Sequence, residues 1–165
     1  HQAAGVVPDV MTLAKGLGGG LPIGACIATG QAADLFTAGQ HGTTFGGNPV
    51  SAAAALAVLD TLDRDDLVEH VAAVGKSIAT GIEDLDHPLI SHVRGSGLLL
   101  GVVLTAPISA KVEASARDKG FLINAPAPDV LRLAPPLIIT EDQARDFVDV
   151  LPEILDAATD ESSAQ

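Results

Sequence analysis

The chain has no tryptophan and no tyrosine, and only four phenylalanines in 165 residues. That scarcity removes the aromatic platforms on which single-stranded nucleic acid stacks. Basic residues are also few: nine Lys and Arg stand against 21 Asp and Glu, a formal net charge of −12. A chain of that sign lacks the electrostatic footprint for nucleic acid or for an anionic lipid surface. One cysteine, Cys26, excludes an internal disulfide framework and a cysteine-built zinc cage, and a small buried thiol in a reducing compartment is its expected role. No metal site is expected. The longest uncharged stretch, 38–59, opens with Gly, Gln, His, Thr and Asn, which is not the texture of a membrane span. No secretory leader is expected, because the start is poor in basic residues and has no apolar h-region.

Against these absences, 47% of the residues are apolar and 18% charged, which favours a packed, ordered chain. The length suits one domain or parts of two. The order of elements reads as α/β. Short apolar runs at 10–14 and 23–29, separated by glycines, predict strand, loop, strand. A short helix is expected over 31–37 and a loop over 38–47. Asn48 as N-cap and Pro49 at the first helical position open an Ala-rich helix to Leu62. A second helix is expected over 66–85, with Leu67, Val71, Val74, Ile78 and Ile82 at helical spacing. Beyond it, 98–104 predicts a buried strand and 109–119 a helix stopped by Gly120. Segments 121–124 and 130–133 read as strands. Thr140 and Gln143 form a capping box that opens a last amphipathic helix, which Pro152 should kink or divide. The tail from Asp160 is expected to fray.

Among the four lysines, Lys76, Lys111 and Lys119 fall on helical segments, whereas Lys15 ends an apolar strand and precedes a glycine run. A partly buried amine held at a strand end suits Schiff-base chemistry with a carbonyl compound. The alternative is a surface lysine whose stem covers apolar neighbours. The run Gly16–Gly20 is no dinucleotide fingerprint, since Leu21 stands where the third glycine belongs and a strand follows. Gly75-Lys76-Ser77 fails as a phosphate loop because His70 occupies the position of the earlier glycine. The loop Gly42-Thr43-Thr44-Phe45-Gly46-Gly47 sets two hydroxyls and mobile amides ahead of a helix N-terminus, an arrangement that suits a phosphate or carboxylate, or simply a capped turn. Arg132 lies between Leu131 and Leu133, so its guanidinium needs either an internal acid or a ligand. Arg94 reads as part of a structural turn, and His41 as a loop histidine.

Four stretches carry a resemblance: PDVMTLAKGLGGGLPIGA (8–25), HGTTFGGNPVSAAAA (41–55), RGSGLLLGVVL (94–104) and INAPAPDVLRLAPPLIIT (123–140). Their content and order resemble the class-III, pyridoxal-phosphate-dependent aminotransferases, and among these the acetylornithine aminotransferases. The resemblance implies the C-terminal part of a PLP-dependent transferase (aspartate-aminotransferase-like) fold. Residues 1–62 would end the large cofactor-binding domain, and 63–165 would form a connector helix and the small α/β domain. Lys15 would be the lysine that carries pyridoxal 5'-phosphate and shuttles the substrate proton. Thr44 would bind the cofactor phosphate of a neighbouring subunit, in a homodimer with shared active sites. Thr43 would contribute to the substrate pocket, and Arg132 would grip a substrate carboxylate, including that of 2-oxoglutarate.

The implied reaction moves the δ-amino group of N-acetylornithine to 2-oxoglutarate, a cytoplasmic step of arginine biosynthesis. Ornithine, succinylornithine or 4-aminobutyrate as amino donor, or a non-catalytic remnant acting as an interaction module, are the alternatives. The family's phosphate-binding Gly-Ser/Thr loop, an aromatic over the cofactor ring, a further substrate arginine and an Asp-Glu-x-Gln segment have no counterpart here. With His1 in place of an initiating Met, the chain is expected to be the C-terminal part of a longer enzyme, inactive alone.

Overall fold

The structure is a computed structural model that describes residues 1, 2 and 4–160; the rest of the tail expected to fray lies outside them. The chain divides into two compact units, His1–Asp65 and Asp66–Gln165.

In the first unit, β1 (Val10–Leu13) pairs antiparallel with β2 (Ala25–Ala28), Val10 opposite Ala28 and Leu13 opposite Ala25. A single 3-10 turn, Lys15–Gly18, joins β1 to the glycine run. Two features make that turn glycine-dependent. Gly19 is left-handed at φ +58°, and a Cβ on Gly18 would come within 2.8 Å of Ile23 Cγ2. Segment 31–37 does not form the expected helix: Gly30–Asp34 makes one 3-10 turn with no buried residue, and an element with no apolar face has nothing to dock. Helix α1 (Pro49–Arg64) begins as the sequence predicts, with Asn48 Oδ1 accepting from the Ser51 amide at 3.0 Å.

The second unit carries the core. Its four-stranded sheet is antiparallel throughout, in the order β3 (Ile90–Ser96), β4 (Leu99–Leu104), β6 (Val130–Leu133), β5 (Asn124–Ala127). Leu100, Val102, Leu131 and Leu133 face α2 (Leu67–Asp84), α3 (Ser109–Asp118) and α4 (Glu141–Asp160), and together they form one buried cluster. Leu151, Ile154 and Leu155 of α4 are fully buried; each such side chain contributes about 1.5–3 kcal/mol of burial. The capping box is reciprocal: Thr140 N–H donates to Gln143 Oε1 at 3.0 Å, and Gln143 N–H donates to Thr140 Oγ1 at 3.2 Å.

Several expectations change. Helix α4 runs through Pro152 as one element rather than dividing. Strand β3 was not evident, because Ser91, His92, Arg94, Gly95 and Ser96 give it no apolar alternation. Strand β5 sits later than the apolar segment 121–124 and includes Pro126, which an edge position tolerates. Cys26 is exposed rather than buried. Gly75-Lys76-Ser77, which mimics the end of a phosphate loop, is a packing device: a Cβ on Gly75 would strike the Gly97 carbonyl between β3 and β4.

Candidate active site

Lys15 lies two residues beyond Leu13, the last paired residue of β1, and opens the 3-10 turn Lys15–Gly18. Its backbone is left-handed at φ +56°. Only glycine adopts that region without cost, and a strained non-glycine residue is a common mark of a functional site. The side chain is exposed rather than partly buried as expected, and among the described residues it makes no ion pair or hydrogen bond. An exposed amine in that turn is available to a carbonyl ligand.

Thr43 and Thr44 behave differently from each other. Thr43 Oγ1 accepts from the Gly46 amide at 3.3 Å, closing a short turn. Asn48 Nδ2 donates to the Phe45 carbonyl at 3.3 Å and ties the same turn to the start of α1. Thr44, at the tip, is exposed and its hydroxyl has no partner among the described residues. The Lys15 turn meets α1 further along, where a Cβ on Gly19 would lie 3.2 Å from Val58 Cγ2. Val58 is nine residues beyond Pro49, about 14 Å along the helix axis at the α-helical rise. One helix thus carries the lysine turn against its side and the threonine turn at its start.

Arg132 belongs to the second unit, on β6. The strand's alternation turns Leu131 and Leu133 into the core and Arg132 onto the opposite sheet face, exposed. Of the two options open from sequence, an internal salt bridge is absent: Arg132 has no acid partner among the described residues. Arg94 is not in a turn. It lies in β3 opposite Gly101, and Gly101 lies opposite Arg132, so both arginines occupy one row of the sheet. The signal that could have shown this is the glycine inside the apolar run of β4. His41 is an exposed loop residue, as expected, with its ring stacked on Phe36 at 5.9 Å. An apolar groove of about 660 Å³ between Phe121, Ile138 and Phe147 contains none of the candidate residues. No group of metal-ligating side chains occurs among the described residues, and none of their helices is long and apolar enough to cross a membrane.

The profile of the family described as Aminotransferase class-III matches residues 1–155. The chain belongs to the class-III aminotransferases. Its class-III relatives include the acetylornithine aminotransferase of Mycobacterium tuberculosis (strain ATCC 25618 / H37Rv), 66% identical over 158 residues, which cover 96% of this chain and 40% of the relative. The acetylornithine aminotransferase of Mycolicibacterium smegmatis is 60% identical over 162 residues, covering 98% of this chain and 42% of that protein. Among solved structures, the acetylornithine aminotransferase of Elizabethkingia anophelis superposes with a TM-score of 0.86 at 35% identity, over 93% of this chain and 42% of its own. The mixed α/β architecture is therefore part of the class-III aminotransferase fold. The chain spans about two-fifths of the length of the curated relatives it matches. Class-III aminotransferases depend on pyridoxal phosphate. The donor chemistry here fits that group: a primary amine at Lys15 and a hydroxyl at Thr44, both exposed and without a partner among the described residues, suit its aldehyde and its phosphate.

Proposed function

We propose that the whole protein carrying this chain transfers the δ-amino group of N-acetylornithine to 2-oxoglutarate, a cytoplasmic step of arginine biosynthesis. The observation that carries the reading is Lys15: exposed, without a partner among the described residues, left-handed, and placed just beyond the end of β1 in a class-III aminotransferase chain. Pyridoxal phosphate supplies an electron sink when bound. Lys15 Nζ holds the cofactor and then moves a proton to and from the substrate Cα as general acid and base. Thr44 Oγ1 donates to the phosphate in the neighbouring subunit's site of a homodimer. Its support is the spacing along α1, which carries the Thr44 turn at its start and the Lys15 turn about 14 Å further along.

Thr43, whose Oγ1 already closes the loop, shapes the substrate pocket. Arg132 orients a substrate carboxylate through its planar fork; its support is a guanidinium between two buried leucines with no acid partner among the described residues. In domain terms, residues 1–62 belong to the large cofactor-binding domain, and 63–165 to the connector and small domain. The choice of N-acetylornithine rests on the relatives of that name at 60 to 66% identity.

Reductive trapping tests the lysine. Borohydride reduction of the full-length holoenzyme, followed by digestion and mass spectrometry, is expected to find the pyridoxyl group on the peptide containing Lys15. A label on Lys76, Lys111 or Lys119 alone overturns the assignment. Comparing kcat/KM for N-acetylornithine and ornithine on the same preparation tests the donor.

A further inference from the structure

Arg94 and Arg132 are cross-strand neighbours at one remove. Arg94 of β3 pairs with Gly101 of β4, and Gly101 pairs with Arg132 of β6. Their Cα atoms are thus two strand spacings apart, roughly 10 Å. Gly101 brings no side chain of its own to the space between them, and the Arg94 stem and Val130 Cγ1 lie over it. A Cβ built there would lie 3.5 Å from Arg94 Cγ and 3.6 Å from Arg94 Nε, so the Arg94 stem rests over the glycine. Both side chains are exposed, and among the described residues neither guanidinium has an acid partner or a hydrogen bond. No carboxylate occupies any paired position on this sheet face; its other members are residues such as His92, Ser96, Val103 and Val130. The chain has 21 acidic residues, so two adjacent arginines left without an acid are a local concentration of unsatisfied positive charge. Two forks on one row of the sheet offer a carboxylate more donors than one does, because four oxygen lone-pair sites accept from two guanidinium groups.

We propose that Arg94 is a second carboxylate-binding residue, completing with Arg132 a two-guanidinium site for the substrate carboxylate across Gly101. This inference rests on the assignment of Arg132 to that carboxylate. Arg94 adds charge and a second set of donors, and Gly101, having no side chain, lets the Arg94 stem lie across β4.

A double-mutant cycle on the full-length holoenzyme tests it, with KM and kcat for 2-oxoglutarate measured for wild type, Arg94→Ala, Arg132→Ala and the double variant. Arg94→Ala is expected to raise KM about tenfold while lowering kcat less than threefold, with Arg94→Lys recovering part of the loss. The double variant is expected to lie close to Arg132→Ala alone, because removing one fork leaves the other little to share. Glutarate should raise the melting temperature of the wild type by mass action, and less that of Arg94→Ala. An unchanged KM in Arg94→Ala, or losses that multiply independently, overturns the proposal and leaves Arg132's role standing. An unchanged KM in Arg132→Ala overturns the carboxylate assignment itself, and the shared site with it.

Discussion

Lys15 sits in a region of backbone space that costs a side-chain-bearing residue about 1–2 kcal/mol. Nothing in the packing of its own side chain repays this, since the amine is exposed and has no partner among the described residues. On the proposed role of Lys15, the position is held for chemistry at the expense of stability. Lys15→Gly should abolish transamination in the full-length enzyme yet stabilise the cofactor-free protein by about 0.5–1 kcal/mol, read as a small rise in melting temperature. Thermal melts of the two apo proteins check this; a fall in melting temperature would mean that the lysine is not strained. Lys15→Ala loses activity equally, but keeps a Cβ in the left-handed region and gains no stability.

At the scale of elements, a close approach and a cap show what local sequence does in this fold. Gly75 lets α2 settle against the Gly97 carbonyl. Gly75→Ala should cost about 1–3 kcal/mol in chemical denaturation, because the contacted group is backbone and cannot swing away. Thr140→Ala, which breaks the capping box at the start of α4, should cost about 1 kcal/mol. The cap was legible from four consecutive residues, as was the Asn48–Pro49 start of α1, because capping is local chemistry. The role of Gly75 was not: its partner is 22 residues away, and its neighbours mimic a nucleotide motif. Strand β3 escaped for the same reason, since its membership depends on pairing with β4 rather than on its own polar composition. Lys15, Arg132 and the Thr43-Thr44 loop stand out in the sequence as settings with a bland alternative each, and the family resemblance assigns their expected roles; the row of Arg94, Gly101 and Arg132 needs the strand pairing.

At the scale of the whole molecule, the proposed sharing of sites has an arithmetic consequence. If Thr44 serves the neighbouring subunit, each site takes Lys15 from one chain and Thr44 from the other. A heterodimer of one Lys15→Ala chain and one Thr44→Ala chain then holds one site with both residues intact and one with both lost. Random assortment of equal amounts makes half the dimers mixed, so the exchanged population should recover about a quarter of wild-type activity. The parent Lys15→Ala homodimer has no intact site, and the Thr44→Ala homodimer only weakened ones. If Thr44 instead serves its own chain, every mixed dimer contains one site lacking the lysine and one lacking the threonine, and mixing brings no gain over the average of the parents. Differently tagged subunits, unfolded together, refolded with pyridoxal phosphate and assayed before and after mixing, separate the two cases. The recovery needs no new contact, only an exchange of partners, so it measures where Thr44 works independently of how tightly it binds.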